Sequence, residues 1–333
     1  MPGAYVTGYY GKLPFSREFL RWNGAGVEMR ELDPWLQEGM VSAKSRLGHE
    51  LKKAVEKAEP WNFLFAPVRS SRLTLGVILP SLDQVGREYP FLAFLLIDQE
   101  TMRLRRALLP LAFKGFLGRT RDLVRRLQLT QDWNAFKQAF ESSNWTAPME
   151  ASQVQACYDA ALNSVTVAEW CTEIWGDTTS RPMVEVLCSA LVKKVAPHAG
   201  AHTPRSPVLR FPLVKGEKDE TNDMPFWMDL TASVRTEWGD PRVMFWTRGS
   251  AAVDPCMVAG YGTPSPKMVQ FILTPQSACP DWVDPFSSAD TDRQAGSQDL
   301  QEIACDPRAS LKRTLDVIRN ISLVGHSSSP SSE

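Results

Sequence analysis

The stretch WNFLFAPVRSSRLTLGVILPSLDQVGREYPFLAFLLID, residues 61–98, decides how the remainder of the chain is read. It holds three runs of β-favouring residues, 61–65, 73–79 and 91–97, the last two almost continuously apolar. A strand with one wet face alternates, whereas a strand without alternation is covered on both faces. These runs therefore belong at the centre of a sheet with helices above and below. A polar Arg/Ser connection separates the first two, and 80–90 opens and closes with Pro80 and Pro90. Between those prolines Ser81 and Asp83 are placed to cap a short helical turn, so the pattern predicts strand, turn of helix, strand.

Working toward the start of the chain, 4–10 is rich in Tyr, Val and Thr and ends at Gly11-Lys12-Leu13-Pro14, which predicts an opening strand. Three blocks then stand in order: Gly11-Lys12-Leu13-Pro14, Trp61-Asn62-Phe63-Leu64-Phe65-Ala66-Pro67, and 76–90 with Pro80, Ser81, Asp83, Gly86, Arg87 and Pro90. In this combination the chain resembles the TagF (ImpM) family, accessory proteins of bacterial type VI secretion. Family members usually follow the first block with Gly-Asp-Phe; here Ser16-Arg17-Glu18-Phe19 keeps the carboxylate, in Glu18, and the aromatic, without the glycine. The resemblance implies a cytoplasmic regulator that restrains assembly or firing after translation by binding secretion components, among them a scaffold with a forkhead-associated domain. Its motif residues, the candidates for interaction, are Gly11, Lys12, Leu13, Pro14, Glu18, Trp61, Pro80, Ser81, Asp83, Gly86, Arg87 and Pro90.

Composition sets outer bounds. The 37 basic and 38 acidic residues leave a net charge of -1, so no global field draws this chain of 333 residues to nucleic acid or an anionic membrane. A chain of this length buries about three quarters of its extended surface, enough for a core without staples. Its 6 cysteines include no C-x-x-C pair, which fits a reducing compartment. No basic start and apolar run mark a signal peptide, and nothing approaches the roughly 18 apolar residues of a membrane span. A cytoplasmic location without membrane insertion is expected.

Farther out, Asp33-Pro34 marks a helix start, followed by Leu36, Met40, Ala43, Leu47 and Leu51 at three- or four-residue spacing. Residues 101–129 are helical in pattern, broken near Pro110, and strongly basic: Arg103, Arg105, Arg106, Lys114, Arg119, Arg121, Arg125 and Arg126 face only Asp122. This face is either a docking surface for an acidic partner or nucleic acid, or a helix face whose counter-charges lie elsewhere in the fold. The second is simpler, and the aromatic interleaving of single-strand binding is missing. Four helices are predicted at 131–140, 147–162, 167–175 and 181–195, with Thr166 and Glu169 forming a capping box. Strands follow at 208–214 and 243–247 with a helix at 226–238 between them, while 267–274 has no period that separates strand from helix.

Residues 280–306 turn acidic, and 287–297 are expected to lack stable structure. We expect that acidic segment, 281–306, to lie against the basic helices 103–126. Asp306-Pro307 starts a last amphipathic helix through Leu311, Leu315 and Ile318, followed by a disordered tail. The fold class is mixed α/β: a central mixed sheet with helices on both faces and an extra helical region in the middle of the chain. The regions are 1–129, TagF-like and α/β; 130–200, helical; 201–280, α/β and packed on the same core; and 281–333, the acidic segment, amphipathic helix and tail.

The search for chemistry returns little. There is no phosphate-binding G-x-x-x-x-G-K-[ST] or G-x-G-x-x-G loop and no G-x-S-x-G elbow. His198 and His202 have zinc-helix spacing, yet they sit among Pro197, Gly200 and Pro204 and lack the glutamate of H-E-x-x-H. The aspartate patterns of metal-dependent phosphatases, to which some family members are fused, do not occur. We therefore expect no enzyme, no cofactor and no metal. Asp83 and Arg87, four apart, are one helical turn from each other and form either a structural pair or a site beyond a central strand. The alternatives to a regulator are a hydrolase using Asp83 and Arg87 with Glu18, and nucleic-acid binding through 103–126. Sequence leaves the oligomeric state open.

Overall fold

The computed structural model describes residues 5–143, 145, 150–176, 208–215, 222–234, 239–251, 253–275, 282–283 and 308–327. Among these, β1 (Tyr5–Gly11), β2 (Leu20–Trp22), β3 (Trp61–Phe65), β4 (Arg72–Leu79), β5 (Phe91–Asp98), β6 (Val208–Pro212), β7 (Val243–Thr247), β8 (Cys256–Gly260) and β9 (Trp282–Val283) form a single sheet. The strand order is β2-β1-β5-β4-β3-β7-β8-β6-β9, antiparallel except for the parallel pair β6 and β9.

The three runs of 61–98 are β3, β4 and β5, a meander at the middle of this sheet. Their missing alternation has the expected cause. Leu64, Leu75, Val77 and Leu95 enter one core, while Phe63, Phe65, Ile78 and Phe94 enter another on the opposite face. Each large apolar side chain removed from water here stabilises the fold by roughly 1.5–3 kcal/mol, so the strands cannot slip by one residue without exchanging both faces.

Eleven helices cover the described parts of the sheet: α1 (Val27–Leu47), α2 (Glu50–Lys57), α3 (Gln99–Met102), α4 (Leu109–Ala112), α5 (Lys114–Thr130), α6 (Trp133–Glu141), α7 (Ala151–Ser164), α8 (Val167–Trp175), α9 (Asp223–Val234), α10 (Val269–Leu273) and α11 (Leu311–Ser327). The first core takes its helical side chains from α4 to α9 and α11; the second takes them from α1, α2 and α10. This is the mixed α/β architecture with helices on both faces.

Several elements differ from expectation. Helix α1 begins at Val27, and Pro34 lies inside it. Met29 and Leu32, both buried, extend the apolar stripe upstream of the proline, and their burial outweighs the one hydrogen bond that the proline removes. Strand β8 had no forecast, because Cys, Met, Ala and Gly carry little strand preference of their own; it forms because all five residues are buried between β7 and β6. Residues 269–273 are helical and buried all round, which is why no period marked them. The stretch 80–90 is not helical: an isolated bridge pairs Leu82 with Glu88 around a tight turn.

The capping box is present, with the Glu169 N–H donating to Thr166 Oγ1 and the Thr166 N–H to the Glu169 carboxylate. Leu311, Leu315 and Ile318 are buried on one side of α11. The predicted helix 181–195, the pair His198 and His202, the tail from 328, and the acidic segment apart from Trp282–Val283 lie outside the described residues.

Candidate functional site

The first motif block, Gly11 to Pro14, and the 80–90 turn meet at one corner of the sheet. Strand β1 ends at Gly11 with φ +132, and a Cβ there would come within 2.1 Å of the Pro90 carbonyl oxygen. Only glycine lets β1 run this close to the start of β5. The next residue, Lys12, turns toward the 80–90 loop and donates its Nζ to Asp83 Oδ2 at 3.0 Å.

Asp83 organises the turn. Its Oδ1 accepts the N–H groups of Val85 at 3.1 Å and Arg87 at 2.9 Å, while Oδ2 accepts Lys12 Nζ and, at 2.6 Å, Arg87 Nε. Four donors fill the acceptor sites of a carboxylate. The Asp83 N–H donates to the Arg87 carbonyl, the Gly86 N–H to the Asp83 carbonyl, and the Tyr89 N–H to the Ser81 carbonyl. Gly86, at φ +87 with open space around it, supplies the left-handed residue that closes the turn. A side chain that captures nearby backbone N–H groups competes directly with a helix, and this is why the predicted helical turn does not form.

The Asp83 side chain is closed to solvent, that of Lys12 is 15% exposed and that of Arg87 60%. Burial pushes the Asp83 carboxyl up, but the Arg87 backbone N–H and the Lys12 and Arg87 side chains outweigh it and hold the group well below the ordinary carboxylate range. The group is ionised at neutral pH and its acceptor sites are already filled.

A second strand of the chain wraps the turn from outside. The Gln84 N–H donates to the Ser16 carbonyl at 3.0 Å, and Arg87 Nη2 donates to the Arg17 carbonyl at 3.1 Å. Leu13 is buried beneath this loop and Pro14 is exposed. Beside it, Phe19 packs edge-on against Tyr10 and Tyr89, at 4.6 and 5.2 Å between ring centroids. The Tyr89 hydroxyl donates to Asp33 at 2.6 Å. Burial, then the Asp33 charge, pushes the Tyr10 phenol up to about 12. What remains on the outside is Val85, 58% exposed, Phe19, 39% exposed, and the outer part of Arg87.

The structure thus brings together Gly11, Lys12, Ser81, Asp83, Gly86, Arg87 and Pro90. Glu18 stands exposed with its N–H on Ser16 Oγ, and its carboxylate is not a partner of the Asp83 cluster. Trp61, although at the same end of the sheet, is core, edge-on to Phe271 at 5.1 Å. Val85 and Tyr10 went unmarked in the sequence, where a valine in a turn and a tyrosine in a strand carry no distinguishing signal.

The basic run 103–126 is distributed rather than pooled. Arg105 Nη1 donates to Asp229 Oδ1 at 2.6 Å, Arg106 Nη1 donates to the Pro241 carbonyl at 3.1 Å, Arg119 stacks over Trp145, and Arg125 faces Glu59 at 3.7 Å. Among the described residues no group of three His, Cys, Asp or Glu side chains is arranged to hold a metal ion, and no helix is long and apolar enough to cross a membrane.

Residues 8–143, which contain the whole corner, match the family model of the TagF N-terminal domain, type VI secretion system-associated. Residues 8–143 of this chain are a TagF N-terminal domain. This TagF domain runs from β1 to just past α6 and includes the central meander, whereas β6 to β8 lie beyond it and continue the same sheet. The matched domain is of the type VI secretion-associated kind. Among solved structures the chain is similar to PA0076 from Pseudomonas aeruginosa PAO1, at 18% identity over 82% of this chain and 96% of that one, with a TM-score of 0.49. No curated protein matches.

Proposed function

We propose that this protein is a non-catalytic, cytoplasmic regulator of type VI secretion that restrains the apparatus by binding one of its protein components at the Lys12–Asp83–Arg87 corner. A scaffold with a forkhead-associated domain is the first partner to test. One observation carries this reading: the Asp83 carboxylate uses all its acceptor sites to hold the turn from within, while Val85, Phe19 and Arg87 face outward. A turn fixed before contact loses little conformational entropy on binding.

The same geometry weighs against Asp83 as a base. A general base needs a free lone pair and a pKa near the working pH, and Asp83 has neither. The pairing of Arg105, Arg106, Arg119 and Arg125 within the fold weighs against nucleic-acid binding through 103–126.

The test is affinity purification from the native host, together with binding of purified secretion scaffold, using wild type, Val85→Asp and Asp83→Ala. Val85→Asp changes an exposed residue and should leave stability within about 0.5 kcal/mol while removing capture. Undiminished capture by both variants would remove the corner from the interface. Turnover of a phosphoprotein or nucleotide by the pure chain, lost in Asp83→Ala, would replace the regulator with an enzyme.

A further inference from the structure

At the end of the sheet opposite the corner, the β3–β4 connection, α1 and the start of β7 enclose a groove of about 450 Å³. That is within the range of specific ligand sites, roughly 300–1,000 Å³. Its base is apolar. Trp35, fixed by its Nε1–H donating to the Pro264 carbonyl at 2.9 Å, lies against Phe65 and Phe245 at ring-centroid distances of 6.5 and 6.1 Å. Its rim is basic, with Arg30, Arg69 and Arg242.

Three guanidinium groups against a single carboxylate leave this rim with a net positive charge among the described lining residues. Glu31, the one carboxylate residue among the described lining residues, has its two oxygens taken by the N–H groups of Val68 at 2.7 Å and Arg69 at 2.8 Å. Arg242 donates Nε to the Ala66 carbonyl at 3.2 Å, and Arg30 reaches only the Ala25 carbonyl at 3.5 Å. Arg30 and Arg69 are exposed. Behind the rim, burial and then the like charge of Arg242 lower the proton affinity of Arg106, against the opposing charge of exposed Asp240. The groove is thus an apolar slot under a positive rim.

We infer that this groove docks a short acidic peptide segment of a partner protein, with one large apolar side chain on Trp35 and Phe65 and flanking carboxylates on Arg30, Arg69 and Arg242. Carboxylates suit planar guanidinium groups through paired hydrogen bonds, and the apolar base supplies the buried anchor that interfaces depend on. The groove is separated from the corner by the length of β4, eight residues, or about 26 Å. The two sites can therefore fail independently.

The experiment is fluorescence anisotropy of the full chain with a labelled pentapeptide, Asp-Glu-Phe-Glu-Asp, capped at both ends. Saturable binding that weakens with salt is expected. Affinity should fall about tenfold or more in the double variant Arg30→Glu/Arg69→Glu, in the milder Arg69→Ala to a smaller degree, and for a probe with Asn and Gln in place of its acids. Thermal melting within a few degrees of wild type confirms that the variants are folded. Val85→Asp at the far corner should bind the probe as wild type does. The proposal is overturned by absence of saturation, by equal affinity of the double variant or of the neutral probe, by loss of binding in Val85→Asp, or by a single-stranded oligonucleotide displacing the probe more readily than unlabelled peptide.

Discussion

Asp83 and Asp229 are both buried aspartates that meet an arginine at 2.6 Å, yet they hold different things together. The partners of Asp83 lie within its own turn, apart from Lys12, and three of its four bonds come from Val85 and Arg87. Those of Asp229 come from distant parts of the chain: Arg105 ahead of α4, the Tyr158 hydroxyl on α7 at 3.0 Å, and Arg319 on α11 at 4.0 Å. Burial and then Asp229 push the Tyr158 phenol far above its usual range. One pair shapes a loop and the other ties the helical layer to itself. The same ion-pair chemistry therefore supports recognition in one place and cohesion in the other, according to how far apart in sequence the partners are.

The comparison can be broken first at Asp229. Removing Asp229 leaves the buried Tyr158 hydroxyl without its acceptor and two half-exposed guanidinium groups that water can reach, a cost of about 3 kcal/mol, so Asp229→Ala should lose stability on that scale in urea unfolding, with hydrogen exchange increased across α7, α9 and α11. A loss under about 1 kcal/mol would put Asp229 in the same class as a surface pair.

Acid sharpens the contrast next. Asp83→Ala should cost about 1–3 kcal/mol at neutral pH, with lost exchange protection confined to 12–19 and 80–90. The folded Asp83 carboxyl is held below the unfolded value of about 3.9. Its contribution is then complete above about pH 5 and is lost as pH falls through the lowered folded value. The stability gap between wild type and Asp83→Ala should accordingly narrow between about pH 5 and pH 3. A gap that stays constant over that window would show that the anion is not what stabilises the turn.

The smallest effect belongs to Gly86→Ala. A left-handed residue with a Cβ costs about 1 kcal/mol, and with nothing within 4 Å of that Cβ no clash is added. A markedly larger loss would mean that the turn is coupled to the core in the way Asp229 is.

Much of the fold was legible because burial is written locally. The unbroken apolar runs 73–79 and 91–97 can only be strands wetted on neither face, and the Thr166/Glu169 box marks where α8 starts. The corner was half legible. Spacing of four places Asp83 and Arg87 together in a helix, but it does so equally in a turn where Asp83 captures the Val85 and Arg87 N–H groups, so spacing cannot separate the two. Lys12 and Asp83 were both marked as motif residues, yet nothing in a local pattern joins positions 71 apart. For the basic run 103–126 the simpler reading placed the counter-charges elsewhere in the fold, and Asp229 and Glu59 are among them, but no local pattern names them because they lie in other elements.

By itself, then, the sequence determined that residues 61–98 make the middle of a sheet covered on both sides, because residue type and period report solvent exposure residue by residue. Only the tertiary structure decided which charges meet: Lys12 with Asp83, Arg105 with Asp229, and a rim of arginines over Trp35. Coulombic and hydrogen-bond contacts depend on separation in space. That separation is set by the order β2-β1-β5-β4-β3-β7-β8-β6-β9, which no local period encodes.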